Sequence, residues 1–347
     1  MKAGKPPLLT VIVPHPPGVV PTPVLRSLLR NGGPYDIQLL AVEGRQPSWQ
    51  RNLAVQSARA PLVLFLDHDS EILPATIGEH LKAMRDGKVG AAGGPNLSSA
   101  HDGRFGTLAS LVLGSPLGSP LVWRRYRGGK STDRGDEKSL ILCNLSVRRG
   151  AFLECGGFDP RLYPNEENEF LDRLQSRGWR ATYSPRMAVE KPRPARLRDF
   201  ARENARNGRG RLEQAWVNPH FGDAVFLGVL AGGLGVAVAA WFTGSLPWVA
   251  SYATVTVVEG FRLAVSGPGR RARARNGVLV TSAACVGLIA LRHAAYFGGM
   301  VAGALTGWRK RKLRIPPLRM TQREYRMRGG KCRQVEGRRT TMLRRVV

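Results

Sequence analysis

Acidic residues are scarce in this chain: 25 Asp and Glu stand against 53 Lys and Arg, a formal charge of +28 over 347 residues. Such an imbalance points to phosphate, nucleic acid or an anionic membrane surface as a partner. Cysteine is equally sparse. Cys143, Cys155, Cys285 and Cys332 show neither CxxC nor Cys/His ligand spacing, so no disulfide framework or zinc site is indicated, and reduced thiols facing the cytosol follow. The N-terminus MKAGKPPLLTVIVPHPPG lacks a signal-peptide core, with only about six apolar residues before Pro14, and the first domain is expected to stay in the cytoplasm. Also missing are an RNP-like aromatic motif, zinc spacing and a helix-turn-helix pattern. The basic charge is therefore not read as nucleic-acid binding.

What is present alternates. The apolar β-branched run at 8–13, a helical stretch at 23–30, the run IQLLAVE at 37–43, a helix at 49–58 and PLVLFLD at 61–67 predict a doubly wound α/β sheet. Further strands are expected at 88–94, in SLILCNLSVRR and near 179–183, with helices around 108–113, at 150–155 and up to Arg177. Composition changes after the basic stretch that ends near Arg211. Residues 224–243 are twenty uncharged residues, enough to cross roughly 30 Å of hydrocarbon. A second apolar segment covers 246–265, and a third, 277–306, carries Arg292 and His293 in its middle. The alternative for all three is a set of buried core helices. The basic linker 266–275 and a tail of fifteen Lys and Arg at 309–347 both favour the cytoplasmic side. The third segment is then a re-entrant or interfacial helical pair, or else a third span. The expected division is a catalytic domain at 1–215, a membrane domain at 216–308 and a basic cytoplasmic tail at 309–347.

In doubly wound sheets ligands bind beyond the carboxyl ends of the strands, where Glu43, Asp67 and Asp69 are expected. The pair in Asp67-His68-Asp69 suits a hard cation such as Mg2+ or Mn2+ bridging a diphosphate, or is an incidental surface turn. About a hundred residues later the run Pro164-Asn165-Glu166-Glu167-Asn168-Glu169 presents carboxylates at a helix start. One of them is a candidate general base, the alternative being charge that complements the helix dipole.

These elements together resemble the family 2 glycosyltransferases of GT-A fold, in particular membrane-attached bacterial enzymes of exopolysaccharide (succinoglycan-type) synthesis. The resemblance rests on TVIVP, RNLAVQSARAPLVLFLDHD, CNLSVRR, GGFDPRL, NEENEF and ARENARNGRGR, and runs from about Leu8 to Asn218. It implies a GT-A (Rossmann-like) domain followed by C-terminal transmembrane helices in the inner membrane. It also implies inverting, metal-dependent transfer from a nucleotide-sugar to a lipid-linked or saccharide acceptor beside an anionic membrane. By position, Asp69 is the metal ligand with Asp67 in the ribose or metal shell, and Glu167 is the catalytic base with Glu166 directly before it. Pro14, Glu43, Arg51, Asn52 and Asn144 fall on the donor side. Arg206 and Arg209 approach the diphosphate, or alternatively anionic lipid headgroups. The chain departs from the family at His15-Pro16-Pro17-Gly18 and Glu43-Gly44-Arg45-Gln46-Pro47, which abbreviates the nucleotide side and leaves open an inactive, scaffold-like member. Glu203, where relatives often have Gln, favours single-sugar over processive transfer.

Overall fold

The computed structural model describes residues 6–132, 134–219, 228, 231–232, 246–311 and 318–343. The first expected span, 224–243, therefore lies outside the described residues apart from three isolated positions. In chain order the elements are β1 (Leu9–His15), α1 (Thr22–Asn31), β2 (Ile37–Glu43), α2 (Pro47–Ser57), β3 (Leu62–Leu66), β4 (Glu71–Ile72), α3 (Thr76–Ala83), β5 (Val89–Gly93) and β6 (Asn96–Ser98). There follow α4 (Arg104–Leu113), α5 (Arg124–Arg127), β7 (Asn144–Arg148), α6 (Arg149–Glu154), α7 (Glu166–Ser176), β8 (Arg180–Tyr183), β9 (Val189–Lys191) and α8 (Leu197–Val217). Last come α9 (Leu246–Val265), α10 (Arg270–Asn276), α11 (Val278–Arg311), β10 (Leu318–Arg328) and β11 (Lys331–Leu343). Two compact units result. One comprises Met1–Leu97, Arg124–Lys191 and Arg314–Val347; the other comprises Ser98–Trp123 and Pro192–Leu313.

The first unit is a mixed α/β domain on an eight-stranded sheet of order β11-β10-β2-β1-β3-β7-β5-β8. Strands β1, β2 and β3 are parallel, as the alternating pattern predicts, whereas β7 runs antiparallel to both β3 and β5. Apolar side chains leave β1 to β3 on both faces, which is why these segments read as continuous apolar runs. Ile12, Val42, Val63 and Phe65 enter the core under α2, α6 and α7, where the rings of Phe65, Phe152, Phe158 and Phe170 lie 5.0–5.6 Å apart. Val11, Val13, Leu39 and Leu64 fill the opposite core with Val24 and Leu28 of α1.

Within the basic tail expected at 309–347, residues 318–343 are instead part of the sheet. Strands β10 and β11 form an antiparallel hairpin closed at Gly329-Gly330, both at positive φ, the geometry a two-residue hairpin turn demands. Strand β10 pairs along the whole of β2, from Thr321 opposite Glu43 to Met327 opposite Ile37. Met320 enters the core under α2, and Met327 enters the one under α1. The expected boundary at 215 also shifts, because 98–123 and 192–215 pack with the helices that follow rather than with the sheet.

The second unit is helical. α8 lies against the C-terminal half of α11 with backbones almost touching: a Cβ on Gly299, Gly303 or Gly208 would overlap the carbonyl of Ala205, Arg209 or Tyr296. The third apolar segment is one continuous helix over Val278–Arg311 rather than a re-entrant pair. Its polar centre has a local cause. Arg292 is buried against Gly118 O and Asn204 Oδ1, while His293 Nε2 lies 2.8 Å from Leu117 O and Nδ1 lies 3.0 Å from the Tyr252 hydroxyl. With these groups bonded inside the unit, nothing polar forces the helix to break. Val278–Gly307 is long and apolar enough to cross a membrane.

Candidate active site at the carboxyl edge of the parallel strands

The parallel strands end at His15, Glu43 and Leu66, and the chain after β3 turns at once through Asp67-His68-Asp69, closed by Ser70 N–H donating to Asp67 O at 3.1 Å. Helix α2 sets Arg51 behind this turn, with its side chain only 5% exposed. Its guanidinium forks between Asp67 Oδ1 at 3.0 Å and Glu166 Oε1 at 3.1 Å, a fixed two-sided recognition of carboxylates that suits Arg. Glu166 opens α7, whose first turn carries Glu166, Glu167 and Glu169 where the helix dipole favours acids. Glu167 Oε1 lies 3.5 Å from Arg125 Nη1, and Arg125 also donates to Asn168 Oδ1 at 2.6 Å and to Glu137 O. Glu169 is spent on Arg173, which ties α7 to Gly157 O.

The remaining side of Asp67 is taken by Lys191, which ends β9. Its Nζ lies 2.6 Å from Asp67 Oδ2 and 3.3 Å from Asp69 Oδ1. Burial alone would push Asp67 up, but Lys191 and then Arg51 outweigh it and hold the carboxyl down at about 2. Burial would lower Lys191, and Asp67 and Asp69 override that and raise it. At Glu166 burial wins. It exceeds the pull of Arg51 and, with the nearby charge of Glu167, brings the carboxyl up to about 7. One acid is thus firmly ionised and its neighbour is poised near neutrality, a divergence that marks functional sites.

The structure brings Arg51, Asp67, Asp69, Glu166 and Glu167 together. Pro14 is buried in β1 opposite Val42, with His15 opposite Glu43 at the same edge. Gln50 locks that edge by donating to His15 O at 3.1 Å and Val42 O at 2.5 Å. The amides of Asn52 and Asn144 are bonded within the protein. Asn52 donates to Phe158 O and accepts from Phe158 N–H, at 2.8 and 2.9 Å. Asn144 is fully buried, bonded to His80 Nε2 at 3.0 Å and Met187 O at 2.5 Å. Arg206 and Arg209 lie on α8 in the second unit, Arg209 paired with Glu213 at 2.7 Å. Sequence reasoning missed Lys191, Arg125 and His80. Burial lowers the His80 imidazole to about 4 against the opposing hydrogen bond to Asn144.

Among the described residues no three His, Cys, Asp or Glu side chains converge as a metal cage. Asp69 Oδ1 is nonetheless a buried oxygen without a hydrogen-bond partner, which suits a hard cation completed by phosphate oxygens and water. The residues fit a divalent cation on one condition, that Lys191 yields its place. Against known families, the chain matches Glycosyl transferase family 2 over residues 24–155. That match spans Glu43, Arg51, Asn52, Asp67, Asp69 and Asn144 and stops before Glu166. No curated protein matches the chain.

Proposed function

We propose, starting from the match of residues 24–155 to Glycosyl transferase family 2, that the chain is an inverting hexosyltransferase. It takes a nucleotide-diphosphate sugar as donor and a membrane-associated, lipid-linked hydroxyl as acceptor, in polysaccharide or glycolipid synthesis. The observation that carries this reading is the joining of the Asp67-His68-Asp69 turn to the Glu166-Glu167 helix start through Arg51. It supports a site in which donor and acceptor groups meet.

In the reaction, the acceptor oxygen forms a bond to the anomeric carbon, the bond from that carbon to the diphosphate oxygen breaks, and the acceptor proton passes to Glu167. Arg125 orients Glu167 for this transfer. Glu166 holds Arg51, and Arg51 holds Asp67, so the donor side and the base side are positioned as one network. The nucleoside end lies toward Pro14, His15 and Glu43. Asp69 with Asp67 would hold Mg2+ or Mn2+, which supplies Lewis-acid stabilisation of the leaving diphosphate.

The membrane part of the proposal rests on the second unit. Val249, Val255, Val257, Val258 and Phe261 on α9, with Leu279 and Val280 on α11, are exposed apolar side chains, and of the two helices α11 is the one long and apolar enough to cross a membrane. Arg206 and Arg209 are assigned to anionic headgroups. The catalytic domain lies on the cytoplasmic side of the inner membrane.

The test is nucleotide release from a panel of nucleotide-sugars by detergent-purified protein, paired with thermal shift with and without Mn2+. At least one donor is expected to raise the melting temperature by mass action and to be turned over. Failure of every donor on both readouts would leave the scaffold reading in its place.

A further inference from the structure

Lys191 is the residue whose position the proposed chemistry does not use. It is placed by the three-stranded sheet of order β4-β9-β6, where β9 runs antiparallel to β4 with Glu190 opposite Glu71 and Val189 opposite Ile72. Because β4 starts two residues after Asp69, this register carries the end of β9 back to the carboxylate turn. The ammonium then sits at the place between Asp67 and Asp69 that a bridging cation would take.

The two cations on Asp67 differ in kind. Arg51 is almost wholly buried and pinned at both ends by Asp67 and Glu166. Lys191 is a quarter exposed, as is Asp67, and Asp69 is a third exposed, so these side chains are far less enclosed than Arg51, although Asp69 Oδ1 itself is covered. A Lys ammonium is a point charge on a flexible four-carbon stem and can be re-aimed without breaking a planar fork. Lys191 also leaves its second partner poorly satisfied: Asp69 Oδ1 makes an ion contact at 3.3 Å but no hydrogen bond. An oxygen left this way gains more from a divalent ion than from the ammonium. A lysine and a metal cannot share it, because like charges that close repel strongly.

We propose that Lys191 is an internal counter-ion of Asp67 and Asp69 that competes with the divalent cation for them. The cation enters by displacing the ammonium, which then becomes available to the phosphate oxygens of an anionic donor. The role of the donor rests on the glycosyltransferase reading; the competition itself does not.

Mn2+ alone is the probe, with free Mn2+ read by electron paramagnetic resonance. Lys191→Met and Lys191→Gln are expected to bind Mn2+ at least tenfold more tightly than the natural protein, and Lys191→Arg to stay near it. Equal or weaker binding by the two neutral variants overturns the proposal. A second measurement needs no variant that must fold. Acylation of Lys191 in the natural protein, followed by mass spectrometry, is expected to rise several-fold at saturating Mn2+. Unchanged acylation overturns the proposal equally. Neither readout involves a sugar donor, so failure here leaves the transferase reading standing, and failure of every donor leaves this competition testable.

Discussion

Glu166 offers a perturbation whose size follows from the structure. Its side chain is 2% exposed, and burial pushes its carboxyl from 4.5 up to about 7 despite Arg51. The folded chain therefore keeps a proton that the unfolded chain has released. Stability falls as pH rises from about 4.5 to about 7 and levels off above, the reverse of the usual paired carboxylate. At about 1.4 kcal/mol per pH unit that gap amounts to ~3 kcal/mol. Glu166→Gln removes the titration while keeping a polar group toward Arg51. The pull of Arg51 is already contained in the raised value, so nothing further is subtracted for it. The difference between variant and natural protein is thus expected to change by about 3 kcal/mol in favour of the variant between pH 4.5 and 8.5. The assay is hydrogen exchange at the β3 and β7 amides across that range, which reports opening of the first unit alone. His80, lowered to about 4, makes both proteins lose stability as pH falls below 6.5, so it cancels in the difference. Asp67, at about 2, titrates below the range. Curves that run parallel would refute the claim that burial, rather than Arg51, governs this carboxyl.

Glu167→Gln is expected to keep donor affinity by thermal shift while slowing transfer at least ~100-fold, since an amide keeps the shape but accepts no proton. An active Glu167→Gln beside an inactive Glu166→Gln would move the base back by one residue. Deleting residues 318–347 strips the edge of β2 and removes Met320 and Met327 from two cores, at about 1.5–3 kcal/mol each. The melting temperature should drop sharply, whereas a loose basic tail would leave it unchanged. Gly303→Leu drives a side chain into the backbone of α8 and should cost about 1–3 kcal/mol or more, seen as faster proteolysis of the second unit. Gly298→Leu, which meets nothing within 4 Å, is the control that should stay resistant.

The local elements were legible because their signals are local. The run at 8–13 became β1 at Leu9–His15, and the run at 61–67 became β3 at Leu62–Leu66, since β-branched stretches bounded by Pro or Asp have few other uses. Asp67, Asp69, Glu166 and Glu167 could be nominated for the same reason: each follows directly on a strand end or opens a helix. The place of Asn144 at the head of β7 does not reveal that its amide is engaged by His80 and Met187. The hairpin was hidden by charge. Fifteen Lys and Arg between 309 and 347 read as a solvated tail, yet Gly329-Gly330 is a two-residue turn signal.

Long-range pairing is what no local pattern carries. Nothing in the three residues of β9 distinguishes Lys191 from the other basic residues around it until Glu190 is set opposite Glu71. The same holds for the stretch at 98–123, where the sequence signals only a helix around 108–113, found at Arg104–Leu113. In the second unit its carbonyls at Ser99, Ala100 and Asp102 receive Arg271 of α10, and Asp102 O also receives Arg275. With Arg273 bonded to Ala264 O as well, the basic linker at 266–275 spends three of its arginines on backbone carbonyls rather than on lipid. A count of positive charge overstates how much of it is available to a membrane. Arg292 makes the point within the apolar helix itself, since its charge is bonded to Gly118 and Asn204 inside the unit. Charge that composition assigns to a partner is in these places holding the chain's own carbonyls, which is a distinction only the fold can draw.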